Sequence, residues 1–411
     1  MHSNNDQTSK ERWLRPRHWL AAALISTAAT TVAAPALAQS SDGDGGWQLE
    51  HNDEGWWIHS PQRAWEFHPQ MRLQFRETHP FDDDPRSSAA LSAPGETEFD
   101  LHRARFKLDV QLGLPWLSLY SETEMQGPRQ LDFRITAQSS DRLGLRVGQW
   151  KPEYNRERRD SSGEQQFVER SIVTRPFTLD RQQGAMVFGR VGKGTRADFS
   201  LWAGIFGGEG RGHFNDGGRG LGMARVQWNP NGRVLAFEQG DLERRELPTG
   251  SVAMAFADNR SRYTRFSSSG AGALDGYSIG QVDQYALRQW VFETAFRWRG
   301  FSWQQEYHHK QVEDRINGGS HSLHGAYAQA GYFPSQRWPA FPEPLELALR
   351  VAHVDGNVPQ QSEQSELTAV GNWYFNNHRN KLTLDSSLLE VRDDAGSGHD
   401  VRVRLQWDVS F

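Results

Sequence analysis

The chain has 411 residues, 36% hydrophobic and 24% charged, with a mean hydropathy of -0.74 and a formal net charge of -5. That is lean for a soluble fold built on a large dry core, while 16 Trp and 22 Phe exclude a disordered chain. The acidic balance leaves no electrostatic footprint for nucleic acid, and the absence of Cys excludes a disulfide framework or a thiolate metal site.

At the N-terminus, Arg12, Arg15 and Arg17 precede an apolar, small-residue run from Trp19 to Ala34, and Ala36, Leu37 and Ala38 fit a small-x-small cleavage site before Gln39. Residues 1–38 therefore read as a secretory signal peptide. The run is too short and too rich in Ser and Thr for a spanning anchor. Without residues 1–38, which hold four basic and two acidic side chains, 42 basic and 49 acidic residues remain, a net charge of -7. Residues 39–64, rich in Asp, Gly and Trp without a sustained period, read as a flexible lead-in.

Strands begin at Trp65. Trp65, Phe67, Met71, Leu73 and Phe75 alternate with Glu66, His68, Gln70, Arg72 and Arg76. The second strand, near Phe99–Leu112, sets Ala104, Phe106, Leu108, Val110 and Leu112 against Arg103, Arg105, Lys107 and Asp109. Its first residues fall out of phase, which predicts a bulge near His102. The same period predicts strands near 116–125, 131–138, 143–151, 184–191, 195–204, 221–228, 233–241, 285–298, 301–310, 322–333, 345–354, 364–375, 380–389 and 399–411, sixteen in all. The last is the clearest: Val401, Val403, Leu405, Trp407, Val409 and Phe411 alternate with Arg402, Arg404, Gln406, Asp408 and Ser410.

Links after even strands are mostly tight turns, and links after odd strands are mostly long. Glu77–Glu98, Pro152–Gln183, Ile205–Gly220 and Leu242–Gln284 are the longest. Short turns at one end and long loops at the other suit an outer-membrane barrel, in which apolar faces meet lipid and polar faces meet a wet lumen. Trp228, Trp298, Trp303, Trp373, Phe375 and Trp407, near strand ends, fit an interfacial girdle. A soluble sandwich is the competing reading of the same alternation.

The third long link, Pro152–Gln183, carries Arg156, Arg158, Arg159, Arg170, Arg175 and Arg181 against Glu153, Glu157, Asp160, Glu164, Glu169 and Asp180. Such a loop either folds into the lumen, held by ion pairs, or stays solvated outside. Lumenal parity gathers Arg72, Arg103, Arg105, Lys107, Arg134, Arg146, Arg196, Arg225, Arg297, Arg350, Arg402 and Arg404, with Glu66, Asp109, Glu122, Asp132, Asp198, Glu293, Glu346 and Asp408 on the same faces. A row of guanidinium groups hands an anion along, whereas cross-strand pairing with those acids would silence it.

Several runs make the chain resemble the phosphate-selective porin O and P family. They are Arg103, Ala104, Arg105; Gly148 to Pro152; Phe167 to Ser171; Ala326 to Phe333; Leu345 to Arg350; Gly371 to Tyr374; and Arg404 to Phe411, spread in the family's order over nearly the whole mature chain. The resemblance implies an all-β, sixteen-stranded antiparallel transmembrane barrel over residues 65–411, trimeric, with an inward-folding third loop and basic side chains guiding anions. It carries over to Arg103, Arg105, Lys151, Glu169 and Arg170. His102 departs from the family's usual arginine, and only 6 of the 46 basic residues are Lys.

The anion-path candidates are Arg103, Arg105, Lys107, Arg134, Arg146, Lys151, Arg156, Arg158, Arg159 and Arg170. The expected partners are outer-membrane lipid, lipopolysaccharide, small anionic solutes and further copies of the chain, with no cofactor and no nucleic acid. The expected location is the outer membrane of a Gram-negative bacterium, and the expected role is passive, anion-favouring diffusion of phosphate, polyphosphate or organic anions. A weakly selective channel and a non-channel barrel serving as adhesin or lipid-modifying enzyme are the alternatives. His308, His309, His321 and His324 around one loop, and Asp82, Asp83 and Asp84 in the first, are weaker candidates for cation binding.

Overall fold

The computed structural model describes residues 46–411 except 53–54, 82, 92–94, 214, 216, 268–269 and 356–361. The signal-peptide reading of residues 1–38 lies outside the described residues. In chain order the strands are β1 (Gln48–Asn52), β2 (Gly55–His59), β3 (Trp65–His79), β4 (Glu98–Leu112), β5 (Leu117–Glu124), β6 (Arg129–Ser140), β7 (Leu143–Trp150), β8 (Gln182–Val191), β9 (Phe199–Phe206) and β10 (Gly220–Trp228). They continue with β11 (Thr249–Ser261), the two short strands β12 (Arg265–Ser267) and β13 (Gly270–Gly272), β14 (Tyr285–Trp298), β15 (Phe301–Asp314), β16 (Ser320–Tyr332), β17 (Leu345–Asp355), β18 (Glu363–Asn376), β19 (Asn380–Asp393) and β20 (Gly396–Ser410).

Each strand from β3 to β20, apart from β12 and β13, pairs antiparallel with its sequence neighbours, and β20 returns to β3 with Ser410 opposite Arg72 and Val403 opposite His79. These sixteen strands close into a barrel. Its faces are inverted relative to a soluble core. Along β20, Arg402, Arg404, Gln406 and Asp408 are buried, whereas Val401, Val403, Leu405 and Trp407 are 39–49% exposed. A soluble sandwich would bury the second set, so the sheet faces hydrocarbon outside and polar groups inside. Trp228, Trp298, Trp303, Trp373, Phe375 and Trp407 all lie on the exposed face.

The bulge expected near His102 is present: Gln74 pairs with Arg103 and Phe75 with Leu101, leaving His102 as the extra residue. Two expectations are corrected. Residues 46–64 are not wholly irregular, because β1 and β2 form a hairpin that joins β3 through Ile58 opposite Phe67 and His59 opposite Glu66, with Trp57 stacked on His68 at 4.0 Å. The ninth barrel strand is β11, not 233–241. Its inward side chains include Ala253, Ala255 and Ala257 while Met254 and Phe256 face out, so apolar residues sit on both faces and no polarity alternation marks it. The link from β10 to β11, expected to be a tight turn at Asn229–Gly232, therefore runs from 229 to 248.

Candidate functional site

Between β7 and β8 the chain follows an irregular path containing two one-turn helices, Arg156–Arg159 and Thr174–Phe177. Nearly every residue from 151 to 181 is buried. An irregular segment leaves backbone N–H groups without sheet partners, and a buried one must find them elsewhere. Here strand carboxylates supply them. Glu293 of β14 accepts from the Arg156 N–H at 2.9 Å, and Glu306 of β15 from Glu157 at 2.6 Å. Glu366 of β18 accepts from Ile172 at 3.1 Å and Asp385 of β19 from Val168 at 3.3 Å. Gln166 Nε2 donates to Glu346 of β17 at 2.7 Å and to Ser302 at 2.9 Å. On the β3 side, Arg72 reaches Ser162 at 2.7 Å and Arg76 reaches Glu169 at 2.7 Å.

These bonds cover the inward side chains unevenly. On β14, β15 and β17–β20 the inward polar side chains are covered: Glu293, Glu306, Glu346, Arg350, Thr368, Asp385, Arg402, Arg404 and Asp408 are at most 2% exposed. On the opposite wall, Lys107, Tyr120, Arg134, Thr136, Arg146, Phe188 and Trp202 stay half-buried. Accessible side-chain surface on that wall thus lies along β4 to β9.

The ten basic candidates separate accordingly. Arg156 is buried, with Nη1 on Ala236 O at 2.7 Å and Nη2 on Leu235 O at 3.2 Å. Arg158 is tied to Asp180, with Nε at 2.9 Å. Arg170 donates to Glu157 O at 2.9 Å and Asp160 O at 2.6 Å, and Lys151 to Asp160 O at 3.3 Å. Arg158, Arg170 and Lys151 hold the segment's own shape, and Arg156 ties it to the link before β11. Arg103 is half-buried and bridges Gln74 at 2.8 Å and Glu169 at 2.5 Å, while Arg105 pairs with Glu122 at 2.8 Å and Glu124 at 3.1 Å.

The remaining four face the open wall. Arg146 and Arg159 share the Glu153 carboxylate, at 2.5 and 3.1 Å. Arg134 pairs with Asp132 at 3.0 Å beneath the ring of Tyr120, 4.1 Å away, and Asp132 is already taken by Arg181. Lys107 makes no ion pair or hydrogen bond among the described residues and lines a cavity of about 750 Å³ with His68, Arg72, Glu164, His378 and Arg379 at the short-turn end.

Burial and neighbouring charge together set the protonation of the segment. Burial alone would raise the Glu153 carboxyl, but Arg146 and Arg159 outweigh it and hold it at about 2. Asp160 has the opposite fate: burial pushes it up to about 6, against the pull of Arg156 and Arg297. Burial, joined by the neighbouring Arg158, lowers the Arg170 guanidinium to about 9.

Sequence reasoning missed Glu306, Glu366 and Asp385 as docking groups. Their signal was acids at inward parity on strands with a carboxylate surplus. The histidines of the β15–β16 region do not converge, because His308 points inward to Glu306 at 2.9 Å while His309 and His324 meet on the outer face at 3.4 Å. Asp84 pairs with Arg402 at 2.9 Å, and Asp82 lies outside the described residues.

A family model described as phosphate-selective porin O and P matches residues 120–408. Among solved structures, an anion-selective porin from Comamonas acidovorans is similar at 12% identity, covering 84% of this chain and 100% of that one with a TM-score of 0.54. OprB of Pseudomonas putida is similar at 11% identity, 84% and 94% coverage and a TM-score of 0.53. OmpT of Vibrio cholerae in a trimer form follows at 6% identity, 85% and 100% coverage and a TM-score of 0.50. No curated protein sequence matches the chain.

Proposed function

Because this chain belongs to the phosphate-selective porin O and P family, we propose that it is a passive outer-membrane channel favouring small anions such as phosphate, polyphosphate or organic acids. In this reading the segment from 151 to 181 lies inside the barrel as the constriction, and the open path follows β4 to β9. A solute enters from the long-loop mouth, meets Arg134, Arg146 and Arg159, and leaves past Lys107 and Arg72 through the 750 Å³ vestibule. A guanidinium is permanently charged and offers a planar fork of donors, so two of them sharing one carboxylate retain donors for a passing anion. Contacts made and released side by side keep binding weak enough for flux. No covalent step and no energy source are involved, and three such barrels form the assembly.

The observation that carries the proposal is the sharing of carboxylates among guanidinium groups at the unsealed wall: Arg146 and Arg159 both bind Glu153, and Arg134 shares Asp132 with Arg181. The second reading, a weakly selective diffusion channel, draws on the pairing of most other arginines. Planar-bilayer recording separates them. Anion preference with block by phosphate, abolished or inverted by Arg134→Glu and Arg146→Glu, supports the first. Open, unselective conductance unchanged by either substitution supports the second. Absence of conductance would leave a non-channel barrel.

A further inference from the structure

The link from 229 to 248 enters the barrel from the short-turn end, opposite the segment from 151 to 181, and the two meet. Gln239 joins them: its N–H donates to Glu164 O at 2.8 Å, its Oε1 accepts from the Gln166 N–H at 2.9 Å, and its Nε2 donates to Asp160 at 3.2 Å. Arg156 fastens Leu235 and Ala236 by their carbonyls. Those bonds fix the two intervening residues. Phe237, half-buried, has its ring centre 4.8 Å from the Arg156 guanidinium, 5.5 Å from that of Arg159 and 5.7 Å from that of Arg225. Glu238 accepts from Arg297 at 2.6 Å, lies 3.3 Å from Arg245, and keeps 32% of its side chain exposed.

We infer that Phe237 and Glu238 determine the selectivity of the constriction, Phe237 by covering guanidinium faces and narrowing the passage, Glu238 by placing a water-accessible negative charge beside it. The inference rests on the channel reading above. An aromatic ring over a guanidinium is attracted to it and excludes water and solute from that face. Arg159, at the open wall and 23% exposed, is the group whose availability this ring sets. The carboxylate offsets the charge of Arg297 and Arg245, which would otherwise draw anions to that side. The link thus tempers the anion preference that the arginines create.

The test is single-channel recording of the full-length wild-type protein and of Phe237→Ala, Phe237→Leu and Glu238→Gln in chloride and phosphate salts. Phe237→Ala should raise unit conductance about twofold and strengthen anion preference. Phe237→Leu keeps apolar bulk while losing the ring, and should strengthen preference with little change in conductance. Glu238→Gln should raise the anion-to-cation permeability ratio severalfold. Heat-modified mobility on gels confirms that each variant is a closed barrel. Conducting variants whose conductance and reversal potentials match wild type would overturn the role of these residues and leave the channel standing. A wild-type protein that does not conduct would overturn the channel itself.

Discussion

Asp160 shows how one side chain tunes the segment between β7 and β8. Its carboxyl is buried, accepts from Gln239 and from Gln304 Nε2 at 3.2 and 3.3 Å, and is pushed up to about 6. A carboxyl raised by folding binds its proton more tightly in the docked state. That contribution is complete below the ordinary value of 3.8 and disappears as pH rises through about 6. Its full size is roughly 3 kcal/mol. The segment should therefore be harder to cleave at pH 5 than at pH 7.5, and Asp160→Asn should flatten the difference, as limited proteolysis across that range would measure. Glu153 behaves oppositely, since its depressed carboxyl stays ionised down to about 2 and keeps Arg146 and Arg159 bridged in ordinary conditions. From sequence alone these residues were visible as charged but not as different. Parity assigns Arg134 and Arg350 to the same face, yet only the docked segment decides that Arg134 meets water and Arg350 does not.

At the scale of elements, strands were legible wherever a polar inward face alternates with an apolar outward one, as in β3, β15 and β20. β11 was illegible because alanine lines its inner face, and Val234, Leu235 and Phe237 in the preceding link imitate a strand. The long segment after β7 was legible as charged, but its docking acids sit on strands far along the chain. Those acids make its seating testable. Glu293 binds Arg225 at 2.5 Å and the Arg156 N–H at 2.9 Å, with both side chains at most 1% exposed. Glu293→Ala strips the buried Arg225 guanidinium of its counter-charge and leaves the Arg156 backbone donor without its acceptor, which should cost about 3–5 kcal/mol. Replacing Glu293 and Arg225 together with leucine should recover a large part of that loss. Equilibrium unfolding in guanidinium chloride would read both, and a single variant as stable as wild type would remove Glu293 from the docking set.

For the whole molecule, the decisive property is which face is wetted. Val403 and Leu384 are 42% and 52% exposed, so in an aqueous protein arginine there would be harmless. Facing hydrocarbon, Leu384→Arg should cost about 2–4 kcal/mol when near the bilayer midplane, measurable by unfolding from lipid vesicles. The seam between β3 and β20 carries a further consequence. It joins residues about as distant in sequence as the barrel contains, and Phe411 and Met71 exchange backbone hydrogen bonds there at 2.8 and 3.0 Å. The same stretch of β3 grips the segment from 151 to 181 through Arg72, Gln74 and Arg76. The strand that closes the cylinder thus shares its side chains with the segment: a barrel shut without it would lose the contacts of Arg72, Gln74 and Arg76 with residues 162–169. Assembly should accordingly run without a stable empty tube, and loss of protease protection in the segment should coincide with loss of the barrel's resistance to detergent.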